Sequence, residues 1–133
     1  MLELNSSHVK AVIEKAKAQW LEKTAEMMVN SVKQNTAVDT GKTRDGWLKI
    51  VSTGNDFAIV ANPLENAVWE EFGTGEYALS GNGRKGGWVY KGKDGRFHYT
   101  RGKQPKRPFQ RAYEKNRGEA VLLAEKIFKE VLK

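Results

Sequence analysis

The chain of 133 residues has the size of a single domain with one hydrophobic core. It contains no cysteine, which excludes disulfides, thiolate nucleophiles and every cysteine-bearing zinc or iron–sulfur site. The N-terminal segment lacks a basic stretch followed by an apolar core, and no part approaches the roughly 20 apolar residues that span a bilayer. We therefore expect a soluble, unsecreted protein made in a reducing cytoplasm, with no membrane partner.

The positive charge is confined to one region. Of the 23 lysines and arginines, ten lie between Arg84 and Arg111, where Asp94 is the only acidic residue. This segment carries +9, and the rest of the chain, with 13 cations and 15 anions, carries −2. The net charge of +7 therefore describes one basic segment on an otherwise ordinary domain.

The first predicted element is a long amphipathic helix. From Ser7 to about Gln34, apolar residues recur at intervals of three and four, with no glycine or proline among them. Ser6 or Ser7 can cap its first N–H groups. A helix of this length extends about 40 Å at 1.5 Å per residue, which exceeds what a domain of this size needs for its own core. We therefore expect part of it to meet a neighbouring subunit.

The next segments predict a hairpin and a short helix. Residues 38–46 hold two glycines and two aspartates, which predicts a turn between the helix and a strand. Trp47–Thr53 and Phe57–Ala61 are rich in β-branched and aromatic residues, and they predict two paired strands. After Pro63, the spacing over Leu64–Phe72 predicts a short helix that Phe72 anchors and Gly73 ends.

A glycine-rich basic arm follows, over about residues 73–107. Nine of the 13 glycines lie between Gly73 and Gly102. Inside the arm, the strand-like runs 88–91 and 96–99 flank Asp94-Gly95, a strong hairpin signal. A two-residue turn at Asp94-Gly95 would place position 90 opposite 99. Alternation then predicts an aromatic face of Trp88, Tyr90, Phe97, Tyr99 and the stem of Arg101, and a cationic face of Val89, Lys91, Lys93, Arg96, His98 and Thr100.

The last predicted element is a helix from about Pro108 to Leu132, which we expect Gly118 to interrupt. The order helix, hairpin, short helix, hairpin, helix is an α+β pattern, with two helices against a small antiparallel sheet. We predict a single domain over residues 1–133. Its body comprises residues 6–72 and 108–132, and the arm of residues 73–107 is flexible.

The motifs that resemble enzyme sites lack the neighbouring secondary structure or partner residues that such sites require. Gly81–Gly86 matches GxGxxG, but it precedes a strand, whereas a dinucleotide site needs a helix there. His8 and His98 are the only histidines and lie on different elements, so no metal site or catalytic triad is indicated. The Glu70-Glu71 pair points in directions about 100° apart on a helix, which predicts one exposed and one half-buried acid. We predict no catalytic, cofactor-binding or metal-binding residue.

The arm is the candidate contact surface. Its cations suit nucleic acid phosphates and its rings suit base stacking. An equally good interpretation is a solvated arm whose rings pack on its own domain or on a neighbouring protein. The residues predicted to contact DNA or a protein partner are Arg84, Lys85, Lys91, Lys93, Arg96, Arg101 and Lys103.

Three linked segments carry motifs that occur together in one protein family. Val38–Asp45 is similar to its "DTG, one residue, Leu-Arg-Asp-Ser", although Thr43 and Gly46 depart from that motif. Residues 67–75 (AVWEEFGTG) are similar to its "Val-Glu-Phe-Gly-Thr" signature, and Pro108-Phe109 with Ala112 is similar to the start of its last helix. In these motifs and their order, the chain resembles the head-to-tail joining, or tail completion, proteins of long-tailed bacteriophages.

The resemblance spans roughly residues 38–112 and carries no catalytic role. It implies an assembly signature of Asp39, Thr40, Gly41, Trp69, Glu71, Phe72, Gly73, Thr74, Pro108 and Phe109. It also implies a ring of copies at the neck of the virion, between head and tail, assembled in the host cytoplasm. The implied partners are the phage connector and tail proteins, and the basic arm adds DNA in the neck channel as a candidate partner. Free in solution, the protein is expected to be a monomer whose mobile arm folds only on assembly.

Overall fold

Two long helices form the frame of the molecule. The computed structural model describes residues 6–38 and 41–132. Helix α1 spans Ser6–Asn35 and helix α4 spans Pro108–Val131, and their contact is the most extensive between elements. The Trp20 indole Nε1–H donates to the carbonyl oxygen of Ala120 at 2.8 Å, and Asn116 Nδ2 donates to Ser31 Oγ at 2.7 Å. Both predicted helices are confirmed.

A small hairpin packs on α1. Strand β1 (Leu48–Val51) pairs antiparallel with β2 (Ala58–Ala61), with Ile50 opposite Ile59. Both strands are shorter than predicted, partly because Trp47 turns into the core instead of joining β1. The segment before β1 also differs from the predicted turn, because Lys42–Asp45 forms one helical turn, α2. A four-residue helix is too short to show a helical period.

The core lies where α1, β2, α3 and α4 meet, with helix α3 spanning Glu65–Phe72. The Trp47 and Phe109 rings stack with centroids 6.0 Å apart, and Trp47 Nε1 donates to Thr36 Oγ1 at 3.0 Å. Besides Trp47, the buried apolar cluster contains Val29, Val32, Ala67 and Ala112, with Met28, Val60 and Phe109 packed against it.

The arm contains the second hairpin, β3 (Trp88–Lys91) and β4 (Phe97–Thr100). It is a two-stranded sheet separate from that of the body, which agrees with the predicted body sheet and arm hairpin. The α+β class and the predicted order of elements are confirmed.

The expected interruption of the last helix at Gly118 is wrong, because α4 runs through this residue. Packing of α4 on α1 outweighs the low helix propensity of a single glycine. A Cβ added at Gly118 would meet nothing within 4 Å. Gly118→Ala is therefore expected to raise the free energy of unfolding by about 0.5–1 kcal/mol. Urea denaturation beside the wild type measures this, and an unchanged or lower midpoint would contradict it.

Candidate functional site

The side chain of Glu71 joins α3 to the start of α4. Its Oε2 accepts a hydrogen bond from the Phe109 N–H at 2.8 Å, and its Oε1 accepts one from the Gln110 N–H at 3.0 Å. These are the N–H groups that an N-cap side chain usually satisfies, but here the N-cap is Arg107, whose side chain makes no cap bond. A carboxylate also interacts favourably with a helix N-terminus. Glu71 and Pro108-Phe109, two separate parts of the predicted assembly signature, thus form one structural unit.

Glu70 anchors the chain that leads into α4. Its carbonyl oxygen accepts hydrogen bonds from the N–H groups of Lys106 at 2.8 Å and Arg107 at 3.2 Å. Its carboxylate forms an ion pair with Lys103, and Arg107 Nε lies 3.6 Å from Glu71 Oε1. The expectation of one exposed and one half-buried acid is wrong, because Glu70 and Glu71 are 3% and 7% exposed. Basic residues returning from the arm neutralise both carboxylates, which makes their burial possible.

The base of the arm is a crossing of two chain segments. Gly73 ends α3 with a φ of 75°, which confirms the predicted exit at this glycine. The Thr74 N–H donates to the Lys103 carbonyl at 2.9 Å, and the Lys103 N–H donates to Thr74 Oγ1 at 2.8 Å. The Glu76 N–H donates to the Arg101 carbonyl at 2.9 Å. The outgoing and returning segments therefore hold each other at the end of α3.

A cleft of about 630 Å³ lies beside this base. Gly41 from the first part of the signature and Trp69 from the second both line it, together with Glu70. Lysines from three separate parts of the chain also line it, namely Lys42, Lys93, Lys103 and Lys106. Asp39 and Thr40 of the signature lie outside the described residues. The cleft has a mixed apolar and polar lining with excess positive charge, because the four lysines face only Glu65 and Glu70 as acidic lining residues.

Phe72 does not anchor α3, contrary to expectation. Its side chain is 50% exposed, and Val68 one turn earlier is 54% exposed. Buried Ala67, Glu70 and Glu71 hold the helix instead. Phe72 and Trp69, which is 45% exposed, are thus the signature side chains left on the surface of α3.

The arm hairpin has a different register from the predicted one. Tyr90 pairs with His98, and Gly92 closes the turn by donating to the Arg96 carbonyl at 2.8 Å. The turn therefore contains three residues, 93–95, where two were predicted. Asp94 favours the longer turn, because its carboxylate accepts the Arg96 N–H at 2.9 Å and lies 3.1 Å from His98 Nε2. The Arg96 N–H and His98 together hold the pKa of Asp94 below its ordinary value.

This shift of one residue overturns the predicted division into aromatic and cationic faces. One face carries Trp88, Tyr90, Arg96, His98 and Thr100, and the other carries Val89, Lys91, Phe97 and Tyr99. Rings and cations are therefore mixed on both faces. The Tyr90 and His98 rings lie 5.5 Å apart, as expected for partners on one face.

The predicted contact cations are distributed over the base, the loop and the hairpin of the arm. The Arg84 guanidinium lies 5.3 Å from the Trp88 ring centroid, Arg101 Nε lies 4.0 Å from Glu76 Oε2, and Lys103 pairs with Glu70. Lys85, Lys91 and Arg96 are exposed along the arm, and Lys93 lies at the hairpin turn and lines the cleft.

Sequence reasoning did not select Glu70, Lys106 and Arg107, which complete the base of the arm. The available signal was two adjacent acids in a short helix and a run of basic residues just before Pro108. That signal does not reveal that the two segments meet in space.

The model of the HK97-gp10-like family, described as "Bacteriophage HK97-gp10, putative tail-component", matches residues 2–73, more than half of the chain. The chain belongs to this family. The resemblance drawn from the motifs is confirmed at this level. No curated protein and no solved structure shows a significant match.

Membership of the HK97-gp10-like family makes the chain a structural component of the phage virion, of the tail-component type. The family match ends at Gly73, where the basic arm begins. Over residues 6–38 and 41–132, no helix is long and apolar enough to cross a membrane. The same residues bring together no group of three or more histidine, aspartate or glutamate side chains suited to a metal ion.

Proposed function

We propose that this HK97-gp10-like protein joins the head to the tail, as a ring of copies at the neck of the virion. The observation that carries the proposal is the contact between Glu71 and the start of α4. It joins the family-matched segment, the last helix and the base of the basic arm into one unit. The arm of residues 73–107 extends from this unit with nine cations and two anions, a net charge of +7, from a remainder of the chain that has 14 cations and 14 anions and no net charge. A body that docks and an arm that reaches another component suit a joining protein.

In the proposed ring, the bodies form the wall and the arms order against a neighbour, the connector or the DNA-bearing channel. The contact residues are those of the assembly signature together with the exposed cations of the arm. Trp69 and Phe72 of the signature are exposed and Trp69 lines the cleft, so another subunit can reach both side chains.

A phage that lacks this gene tests the proposal. We expect infected cells to accumulate full heads and complete tails that stay separate, and expression of the wild-type chain to restore joined particles. Electron microscopy of the lysate gives the answer directly. Joined, infectious particles in the absence of the protein would refute a head-to-tail joining role.

The second candidate function is nucleic acid binding by the arm. The observation that favours it is the mixture of rings and cations on both hairpin faces, because a stacking platform combines them on one surface. If the arm binds DNA, changing Lys91, Lys93 and Arg96 to glutamine should weaken binding to a labelled duplex and lower its salt dependence by about three charges. Unchanged negligible affinity, together with a defect in neck formation, would favour a protein partner.

A further inference from the structure

The hairpin of the body leaves one face uncovered. One face of this hairpin points towards the core, where Val60 packs against the buried cluster. The residues on this inner face are Lys49, Val51, Ala58 and Val60. On the other side, Leu48 is 39% exposed, Ile50 56% and Ile59 46%. Phe57, at the end of the same face, is 54% exposed. We call Leu48, Ile50, Phe57 and Ile59 the outer sheet face.

The hairpin of the arm also has an uncovered apolar face. Val89 lies opposite Tyr99, and Lys91 lies opposite Phe97. The side chain of Phe97 is 74% exposed, Val89 63% and Tyr99 62%. We call Val89, Phe97 and Tyr99 the bare arm face.

The outer sheet face and the bare arm face belong to sheets of the same type and size. Each belongs to a two-stranded antiparallel sheet whose strands are four residues long. A two-stranded sheet is at best marginally stable in water unless its face packs against something. Two such sheets pack face to face about 10 Å apart and interdigitate their side chains. Within one chain, the exposure of both faces shows that they do not cover each other.

Charge decides which pairing between copies is favoured. Pairing two bare arm faces would bring together two arms of +7 each, since residues 73–107 hold nine cations and two anions, whereas the body of another copy, with 14 cations and 14 anions outside the arm, has no net charge to repel an arm. Next to Phe57 of the outer sheet face, the Asp56 side chain is 73% accessible, although its Oδ1 also lies 3.4 Å from Lys17 Nζ. An arm of this charge therefore fits the outer sheet face better than it fits a second arm.

We infer that the bare arm face of one copy packs on the outer sheet face of the next copy. The inference rests on the ring proposed above and identifies its contact surfaces. The two surfaces are different, so the interface is heterologous. Repeated around an axis, such an interface gives a ring when the rotation between copies closes, as the proposed neck ring requires, whereas identical faces would stop at a dimer.

Single cysteines test this pairing cleanly because the chain has none of its own. One variant carries Ile50→Cys and a size tag, and the other carries Phe97→Cys. Each variant is oxidised alone, and an equimolar mixture of the two is oxidised in parallel. The same oxidation is carried out on concentrated free protein and on particles from cells that express both variants. We expect a covalent heterodimer in the mixture and little crosslinking in either variant alone. As a matched control, Leu122→Cys, at a residue on α4 that is 63% exposed, should not crosslink to Ile50→Cys.

A second pair of variants tests the same contact without a covalent bond. Ile50→Lys places a charge on the outer sheet face only, and Phe97→Lys places one on the bare arm face only. Both side chains are exposed, so we expect the fold of each variant to stay intact. We expect each variant alone to self-associate at least about 30-fold more weakly than the wild type. Mixed, they retain one good interface and should form a dimer that cannot grow. Leu122→Lys should behave like the wild type.

Three crosslinking results would overturn the inference. Homodimers from Ile50→Cys alone would show that the sheet faces pair with each other, and homodimers from Phe97→Cys alone would show pairing of the arms. No heterodimer in either free protein or particles would also overturn the inference. Joined particles from a phage lacking the gene would refute the head-to-tail role, while a heterodimer in free protein would still support the pairing.

Discussion

Replacing Glu71 with alanine is expected to lower the free energy of unfolding by about 3 kcal/mol. The substitution removes two charge-assisted hydrogen bonds to the N–H groups of Phe109 and Gln110. It also leaves the Arg107 guanidinium without its carboxylate. Because the bonds join α3 to α4, the loss should appear as a lower midpoint of a single cooperative transition in urea. Hydrogen exchange at the Phe109 and Gln110 amides should accelerate in parallel.

Two further variants separate the role of Glu71 from a general loss of charge. Glu71→Gln keeps one acceptor oxygen and the shape of the side chain, so we expect about half of the loss. Glu125→Ala removes an exposed acid from α4 and should change the free energy of unfolding by less than about 0.5 kcal/mol. If Glu71→Ala proved as stable as Glu125→Ala, the cap described here would have no energetic role.

Replacing Gly75 with alanine is expected to disrupt the crossing at the base of the arm. A Cβ at this position would lie 2.2 Å from the Arg101 carbonyl oxygen and 2.8 Å from the Gly102 Cα, and both are backbone atoms that cannot rotate away. Gly75 also has a φ of +61°, which alanine adopts only at a cost. Together these effects should lower the free energy of unfolding by at least about 3 kcal/mol. The Glu76 amide, which bonds to the Arg101 carbonyl, should lose its protection from hydrogen exchange.

Gly81 provides a matched control for this substitution. It has a similar φ of +75°, but a Cβ there would meet nothing within 4 Å. Gly81→Ala should therefore cost only the conformational part, about 1 kcal/mol. Equal effects of the two substitutions would show that backbone conformation, and not the close approach of the two segments, makes glycine necessary at position 75.

The arm contained the largest difference between prediction and structure. The Asp94-Gly95 signal correctly located a hairpin turn, but it did not reveal whether the turn holds two residues or three. The Asp94 carboxylate stabilises the longer turn through Arg96 and His98. One additional residue reverses the faces of one strand relative to the other, so the predicted separation of rings from cations failed although the strands themselves were located correctly.

The short helix shows a second limit of local reasoning. Spacing located α3 to within one residue, and Gly73 ended it as predicted. The same spacing assigned the anchoring role to Phe72, which is half exposed, and left Glu70 and Glu71 outside the core. Charged residues are rarely buried unless they are paired, and the pairing partners of these two lie more than 30 positions further along the chain.

The order of the five predicted elements, the ends of α1, α3 and α4 to within one residue, and the family resemblance could all be deduced from the sequence, because they depend on residues close together in the chain. Periodicity, glycine and proline positions and short motifs carry that information. Only the tertiary structure decided what the signature does. The contact of Glu71 with the first turn of α4 and the crossing at Gly75 each join segments that are distant in sequence. The two sheet faces lie on local hairpins, but whether a distant segment covers them was also decided by the tertiary structure. Such contacts depend on the packing of the whole chain, and no local pattern encodes them.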